Sequence, residues 1–255
     1  MPRHMASVCF PPTKASGDTL MNRYPPHISI QMRLYYLTEE RWAKKIILER
    51  RFKLSTFDEL NDPFELLGAS IGEKLARKLF KVLFVHWTKT IGLLCTGVSW
   101  TSPVMWAHYG HKHTGVCLGF DVAEGGHLLP VKYEAERLTG LLDGLGRGRM
   151  TLDELTAVLT TKFKDWEYEH EWRLFARLDE RAPEDGKYYL NFDPSITLRE
   201  VILGARCAAS VGDFAALIKA PKQSVKVLKA RAAFDSFSMV RQKQVKIVTV
   251  RASKP

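Results

Sequence analysis

At 255 residues, 45% of them hydrophobic and 11% aromatic, the chain can bury the core of one large α+β domain. No apolar run approaches the roughly 18 residues of a membrane helix, and the opening MPRHMASVCFPPTKASGDTL lacks the continuous apolar stretch of a secretory signal. The net charge of +10 is concentrated at one end: residues 219–255 hold ten Lys or Arg against one acid, Asp235.

Residues 1–28 are Pro-rich and aperiodic and read as a flexible leader, with a single α+β domain over 29–255. The apolar MRLYYL (Met32–Leu37) predicts a first strand. Thr38 caps a helix over about 39–50 that buries Trp42 and Ile46, with Ala43 and Ile47. FKLST is extended and leads into Asn61-Asp62-Pro63, which is turn chemistry because Pro63 pushes Asp62 out of the helical region. Leu75, Leu79, Val82, Leu83 and His86 recur at helical spacing and predict a long amphipathic helix over 72–90. LLCTGVSW is a strand, and Pro103 starts a short helix in PVMWAHYGHKH. The unbroken apolar run GVCLGFDV predicts a central strand, and LLPVKYEAE predicts its antiparallel partner.

DGLGRGRM reads as an exposed loop, and Leu152 to Trp166 as an amphipathic helix through Leu155, Val158, Leu159 and Phe163. EHEWRLFARL, KYYLNF and LREVILG are further strands. Ala208 to Ala220 is a helix, and SVKVLKAR and QVKIVTVR form a closing strand pair. Strands that are mostly antiparallel, with helices between them, make the fold class α+β.

Four cysteines, Cys9, Cys95, Cys117 and Cys207, form no CxxC pair, which argues against a zinc knuckle and for reduced thiols in a cytoplasmic protein. His108, His111 and His113 have the spacing HxxHxH. On a short helix His113 turns away from the other two, so packing and hydrogen bonding are expected and metal binding is not. No GxSxG elbow, GxGxxG loop or phosphate-binding GxxxxGK loop is present.

The stretch WEYEHEWR (Trp166–Arg173) sets carboxylates inside an aromatic run. Read as a strand, it turns Glu169, Glu171, Arg173 and Phe175 to one face and His170, Trp172, Leu174 and Ala176 to the core. Two readings stay open: a surface ladder in which Arg173 neutralises Glu171, or a pocket carboxylate that stabilises positive charge developing on a sugar.

LNDPFE, MWAHYGHKHTGVCLGFD and WEYEHEWR, in this order over about residues 33–205, resemble a widespread bacterial family known only as a domain of unknown function. Its pattern has a Leu-Asn-Asp-Pro-Phe-Glu turn, a Met-Trp-x-His-Tyr helix followed by Gly-Val-Cys-x-x-Phe-Asp, and a Tyr-Glu-x-Glu-Trp-Arg strand. That resemblance implies no activity.

A second resemblance does. Arg33 on the first strand, then Ser99-Trp100-Thr101-Ser102, then Glu169-His170-Glu171 is similar to the Arg, Ser-Thr-Ser and Glu-x-Glu order of the ADP-ribosyltransferase superfamily. It implies a split, mostly antiparallel sheet with flanking helices, and NAD as substrate of a transferase or glycohydrolase. In that scheme Glu171 is the catalytic carboxylate, Glu169 orients the acceptor or water, and Arg33 holds the pyrophosphate. Ser99 supports the glutamate, while Tyr36, Trp106, His108 and Tyr109 line the cofactor pocket. Such a chain would act as a toxin or phage-defence effector on a macromolecule, docking nucleic acid or an acidic protein through residues 219–255. The residues also admit a nucleic-acid-binding or nucleic-acid-processing protein that uses no NAD, or a non-enzymatic interaction domain.

Overall fold

The apolar and aromatic run of Gln31–Thr38 (β1) and the apolar run of Val116–Ala123 (β4), buried on both faces, pair along their whole length, from Gln31 opposite Ala123 to Thr38 opposite Val116. They lie at the middle of a mixed sheet in the computed structural model, which describes residues 31–72, 74–123, 127–141, 150–178, 180–219, 221 and 223–252. Between them the chain forms α1 (Glu40–Glu49), β2 (Arg51–Lys53), α2 (Lys74–Thr90), β3 (Ile91–Gly97) and α3 (Pro103–His108). After β4 come β5 (Leu128–Pro130), β6 (Lys132–Glu134), α4 (Leu152–Thr160), β7 (Thr161–Phe163), β8 (Glu171–Arg177) and β9 (Tyr189–Asn191). The chain closes with β10 (Ile196–Leu203), α5 (Val211–Leu217), β11 (Val225–Ala232), β12 (Met239–Arg241) and β13 (Val248–Val250). The leader 1–28 and nearly all of DGLGRGRM lie outside the described residues.

Among the described residues the main sheet has nine strands in the order β12-β11-β10-β4-β1-β3-β8-β5, with β13 also on β11. Its pairings are antiparallel except β10 with β11. β1 and β3 meet at one register pair, Tyr35 opposite Gly97, whereas β3 and β8 pair over seven, from Ile91–Arg177 to Gly97–Glu171. The sheet is therefore hinged at Tyr35–Gly97 into two blocks. The fold is α+β, with helices on both faces.

One face of the larger block packs Leu34, Leu118, Phe120, Val201, Leu203, Val225 and Val227 against Ala43, Ile46 and Ile47 of α1 and Phe214 of α5. The other face packs Leu37, Cys117, Ile202 and Leu228 against Met105 and Trp106 of α3. Over the smaller block, Leu93 and Phe175 meet Phe80 and Trp87 of α2 and Leu155, Val158 and Leu159 of α4. No helix among the described residues is long and apolar enough to cross a membrane.

Several sequence expectations need correction. Trp42 is 43% exposed, with the Arg41 guanidinium 4.8 Å over its ring, and α1 buries Ala43, Ile46 and Ile47 instead. In α2 the buried stripe is Ala76, Phe80 and Trp87, while Leu75 and Val82 are exposed. That helix is apolar on two adjacent sides, so periodicity alone does not choose between them. LLPVKYEAE does not pair with β4, whose partners are β1 and β10. It splits into β5 on β8 and β6 on β7. The helix expected over 152–166 ends at Thr160, where β-branched Thr160 and Thr161 weaken the helical tendency; the chain turns extended through β7 and then winds a 3-10 turn over Lys164–Glu169. The final strand pair forms as expected, Val225 opposite Val250.

Candidate functional site

Three local devices each deliver side chains to the region beside Gly97. In the first, Asp62 Oδ1 accepts from Phe64 N at 2.9 Å and Asp62 O from Glu65 N at 3.1 Å. This tight turn, forced extended at Asp62 by Pro63, leaves Asn61 at the surface and carries Glu65 inward.

The second is α3. Ser102 caps it and Pro103 opens it. Trp106 is fully buried and donates from Nε1 to Trp100 O at 2.6 Å, which sets Tyr109 at the C-terminal end. Beyond Gly110, His111, Lys112 and His113 all take left-handed backbone (φ 48°, 54° and 69°), and the chain reverses into β4. Gly115 is required there, because a Cβ would lie 2.2 Å from Thr38 O. The three histidines diverge: His108 stacks on Tyr168, His111 Nδ1 is 3.7 Å from Glu39, and the His113 ring stacks on Trp106.

The third is WEYEHEWR. Trp166 to Glu169 belong to the 3-10 turn, and His170 is left-handed (φ 43°) before β8 begins at Glu171. The period-2 reading holds for Glu171, Arg173 and Phe175, which share a face. Glu169 precedes the strand and His170 is exposed. The face carrying the carboxylates is itself buried: Glu169 is 5%, Glu171 4% and Arg173 0% exposed, while Trp172, Leu174 and Ala176 are half-buried on the opposite face.

These side chains form one network. Asn61 Nδ2 donates to Tyr109 Oη at 2.9 Å, and Tyr109 Oη donates to Glu169 Oε1 at 2.5 Å. Lys162 Nζ donates to Glu169 Oε2 at 2.7 Å and to Glu171 Oε2 at 3.2 Å, and lies 3.6 Å from Glu65 Oε1. Arg173 reaches Glu171 with Nε and Nη2, Glu65 with Nη2 at 2.9 Å, and Leu159 O with Nη1 at 2.9 Å. Glu171 N donates to Tyr133 Oη at 2.8 Å.

Three carboxylates thus meet two cations in a nearly dry setting, where unpaired charge is costly. Burial pushes the Glu171 carboxyl up, but the charges of Arg173 and Lys162 outweigh it and hold it at about 2. Glu65 goes the other way: burial raises it and the same two cations only partly offset that. Its Oε2 is buried without a hydrogen-bond partner. Burial lowers Lys162, yet Glu171 and Glu169 bring it above the ordinary lysine value. Burial and the Glu169 hydrogen bond both raise the Tyr109 hydroxyl. The Cys95 thiol is pushed well up by burial and by the Glu171 charge. Cys95, Cys117 and Cys207 are free thiols, and Cys9 lies outside the described residues.

Of the residues singled out from sequence, Glu169, Glu171 and Tyr109 come together, with His108 beside them through Tyr168. Ser99 is close only through its backbone: at Gly97 a Cβ would lie 3.1 Å from Glu169 O and 3.9 Å from Ser99 O. The Ser99 hydroxyl pairs with Thr101 Oγ1 at 2.8 Å rather than with a glutamate. Trp106 is a core residue under α3. Tyr36 points to the opposite sheet face, edge-on to Phe52 at 5.3 Å. Arg33 belongs to a separate cluster, with Nε 2.5 Å from Asp121 Oδ1 and Nη1 3.4 Å from Glu200 Oε2, which also accepts from Tyr35 Oη. Sequence reasoning missed Lys162, Glu65 and Asn61. The last two stand in the LNDPFE block itself; Lys162 was read as a helical residue, and the break at Thr160 is what turns it inward.

The chemistry of the array is divided. Glu171 has both oxygens occupied by cations and is closed to a substrate. Glu169 lies one hydrogen bond from Tyr109 and two from exposed Asn61; Tyr109 meets His108, whose ring stacks on Tyr168, and the Lys162 ammonium that holds Glu169 lies 4.9 Å over the Trp166 ring. Both Glu169 oxygens are engaged as well, Oε2 by Lys162 and Oε1 by Tyr109, but the second partner is a neutral phenol that is itself bonded to exposed Asn61.

A family model described as "Protein of unknown function (DUF2971)" matches residues 105–130, the stretch that runs from Met105 in α3 through β4 to Pro130. Neither a curated protein nor a solved structure matches the chain.

Proposed function

We propose that the protein is an NAD-consuming glycosyl-transfer enzyme of ADP-ribosyltransferase type, with Glu169 as its working carboxylate. The observation that carries this reading is the meeting of three sequence blocks, centred near residues 62, 108 and 170, in the single chain Asn61–Tyr109–Glu169–Lys162–Glu171–Arg173–Glu65. A scaffold role alone is served by the Glu65–Glu171–Arg173 core; it gives no reason for the further branch through Glu169 and Tyr109 to an exposed amide.

In this reading the bond between ribose C1 and the nicotinamide nitrogen breaks, and the nitrogen leaves with the electron pair. The Glu169 carboxylate stabilises the positive charge left on the ribose, and water or an acceptor hydroxyl then bonds to C1 and gives up its proton to bulk water. Lys162 holds Glu169 in place, and His108, Tyr168 and Trp166 offer aromatic faces to the leaving ring. Glu171 passes from catalytic residue to scaffold, because Arg173 and Lys162 occupy it. Arg33 would have to leave Asp121 to hold a pyrophosphate, so no substrate role is given to it. The test is NAD turnover and calorimetry on the wild type and on Glu169→Gln. Nicotinamide release that falls by about 100-fold or more in the variant, with the fold retained, supports the reading. Wild type that neither binds NAD nor releases nicotinamide overturns it.

A further inference from the structure

The β11–β12 hairpin ends in Ala233–Ser238, AFDSFS, whose two phenylalanines are the most exposed large apolar residues described: Phe234 is 94% and Phe237 101% exposed. The turn beneath them is well held. Ala233 N donates to Ser238 O at 2.8 Å, and Met239 N to Thr101 O at 2.7 Å. Met239 is buried in the cluster of Met105 and Trp106. A firm base thus presents two bare rings to solvent. The Arg231 guanidinium covers one side of Phe234 at 4.4 Å. Across residues 225–252 there are seven Lys or Arg (226, 229, 231, 241, 243, 246 and 251) and one acid, Asp235. Arg241, Lys243 and Lys246, on β12 and just beyond it, are exposed.

Paired open aromatic rings beside an excess of positive charge are complementary to a chain that alternates flat bases with phosphates. We propose that this hairpin binds single-stranded nucleic acid, with Phe234 and Phe237 stacking on bases and Arg231, Arg241 and Lys243 meeting phosphates. An anionic lipid surface fits less well. Asp235 and Ser236 lie between the rings, and sinking both rings into a headgroup layer would strip these two polar groups of water. The inference stands apart from the glycosyl-transfer reading, since its measurement uses no NAD.

Fluorescence anisotropy of labelled oligothymidylate and oligouridylate dodecamers, titrated with the full chain at about 50 mM salt, tests it. Binding is expected, weakened about tenfold or more by Phe234→Ala with Phe237→Ala and retained with Phe→Trp at both positions. Arg231→Ala with Arg241→Ala should flatten the slope of log K against log salt by about 1.4, two phosphate contacts' worth. Comparing the two dodecamers tells DNA from RNA. Absence of binding to both, equal affinity of the double alanine variant, or ring-dependent binding to phosphatidylserine vesicles without oligonucleotide binding would each overturn the proposal.

Discussion

The Arg173 guanidinium grips Glu171 with two nitrogens, Nε to Oε1 at 2.9 Å and Nη2 to Oε2 at 3.2 Å, and neither side chain is more than 5% exposed. The pair lies at successive same-face positions of β8, so one strand supplies both charge and countercharge. Fork geometry and shared burial make this pair the fixed part of the network, and Glu169 with Tyr109 the outer part.

Arg173→Met should destabilise the fold by about 3–5 kcal/mol, because Glu65 and Glu171 would then share only Lys162. Chemical unfolding measures this. The double variant Arg173→Met with Glu171→Met should recover a large part of the loss, since one anion leaves with the cation and only Glu65 and Glu169 then share Lys162. Two losses that simply add would contradict a coupled pair.

Stability should fall in acid, and Glu171 should be a main cause. Its folded value of about 2 lies below the unfolded carboxyl value of about 4.3, so the unfolded chain takes up the proton first. The Glu171 contribution is full above about pH 4.3 and is lost progressively towards about pH 2. Glu65 has the opposite sign. Its raised value means its contribution is full below the unfolded value and declines as the pH rises through the folded one. Urea midpoints across this range should show a flatter acid limb for Glu171→Gln. Glu65→Gln, which removes the surplus negative charge, should match or exceed wild-type stability at neutral pH.

Tyr109→Phe removes the donor to Glu169 Oε1 and the acceptor for Asn61. A cost of about 1–3 kcal/mol is expected from the buried oxygen left short of a partner. Thermal unfolding checks it, and nicotinamide release should drop alongside. Asn61→Ala, at the exposed end, should leave stability within about 0.5 kcal/mol.

Lys112 is exposed and held left-handed at φ 54°, a backbone region that costs a side-chain-bearing residue about 1–2 kcal/mol. Lys112→Gly relieves that strain while giving the unfolded chain more freedom, so a net gain of about 0.5–1 kcal/mol is expected in thermal unfolding. A loss would show that the lysine side chain contributes more than its backbone costs.

Much of the fold could be read locally. The apolar runs of β1, β4, β8 and β10, the Pro103 helix start and the Asp62-Pro63 turn all depend on neighbours a few residues away, and each formed where expected. Of the network, Glu169 and Glu171 stood out because carboxylates are rare inside an aromatic run, and Tyr109 through its place in the MWAHYGHKH block. Lys162 did not, because its role depends on α4 stopping at Thr160, where helix and strand tendencies nearly balance and packing against β6 decides.

By itself the sequence determined the period-2 face of β8, which sets Glu171 with Arg173, and the concentration of positive charge after residue 219. Only the tertiary structure decided that this carboxylate face is buried, that Lys162 and Glu65 complete it, and that Arg33 turns to Asp121 and Glu200 instead. The reason is physical: alternation along a strand says which side chains travel together, whereas the partners they meet come from segments many residues away, brought in by the packing of helices onto the sheet.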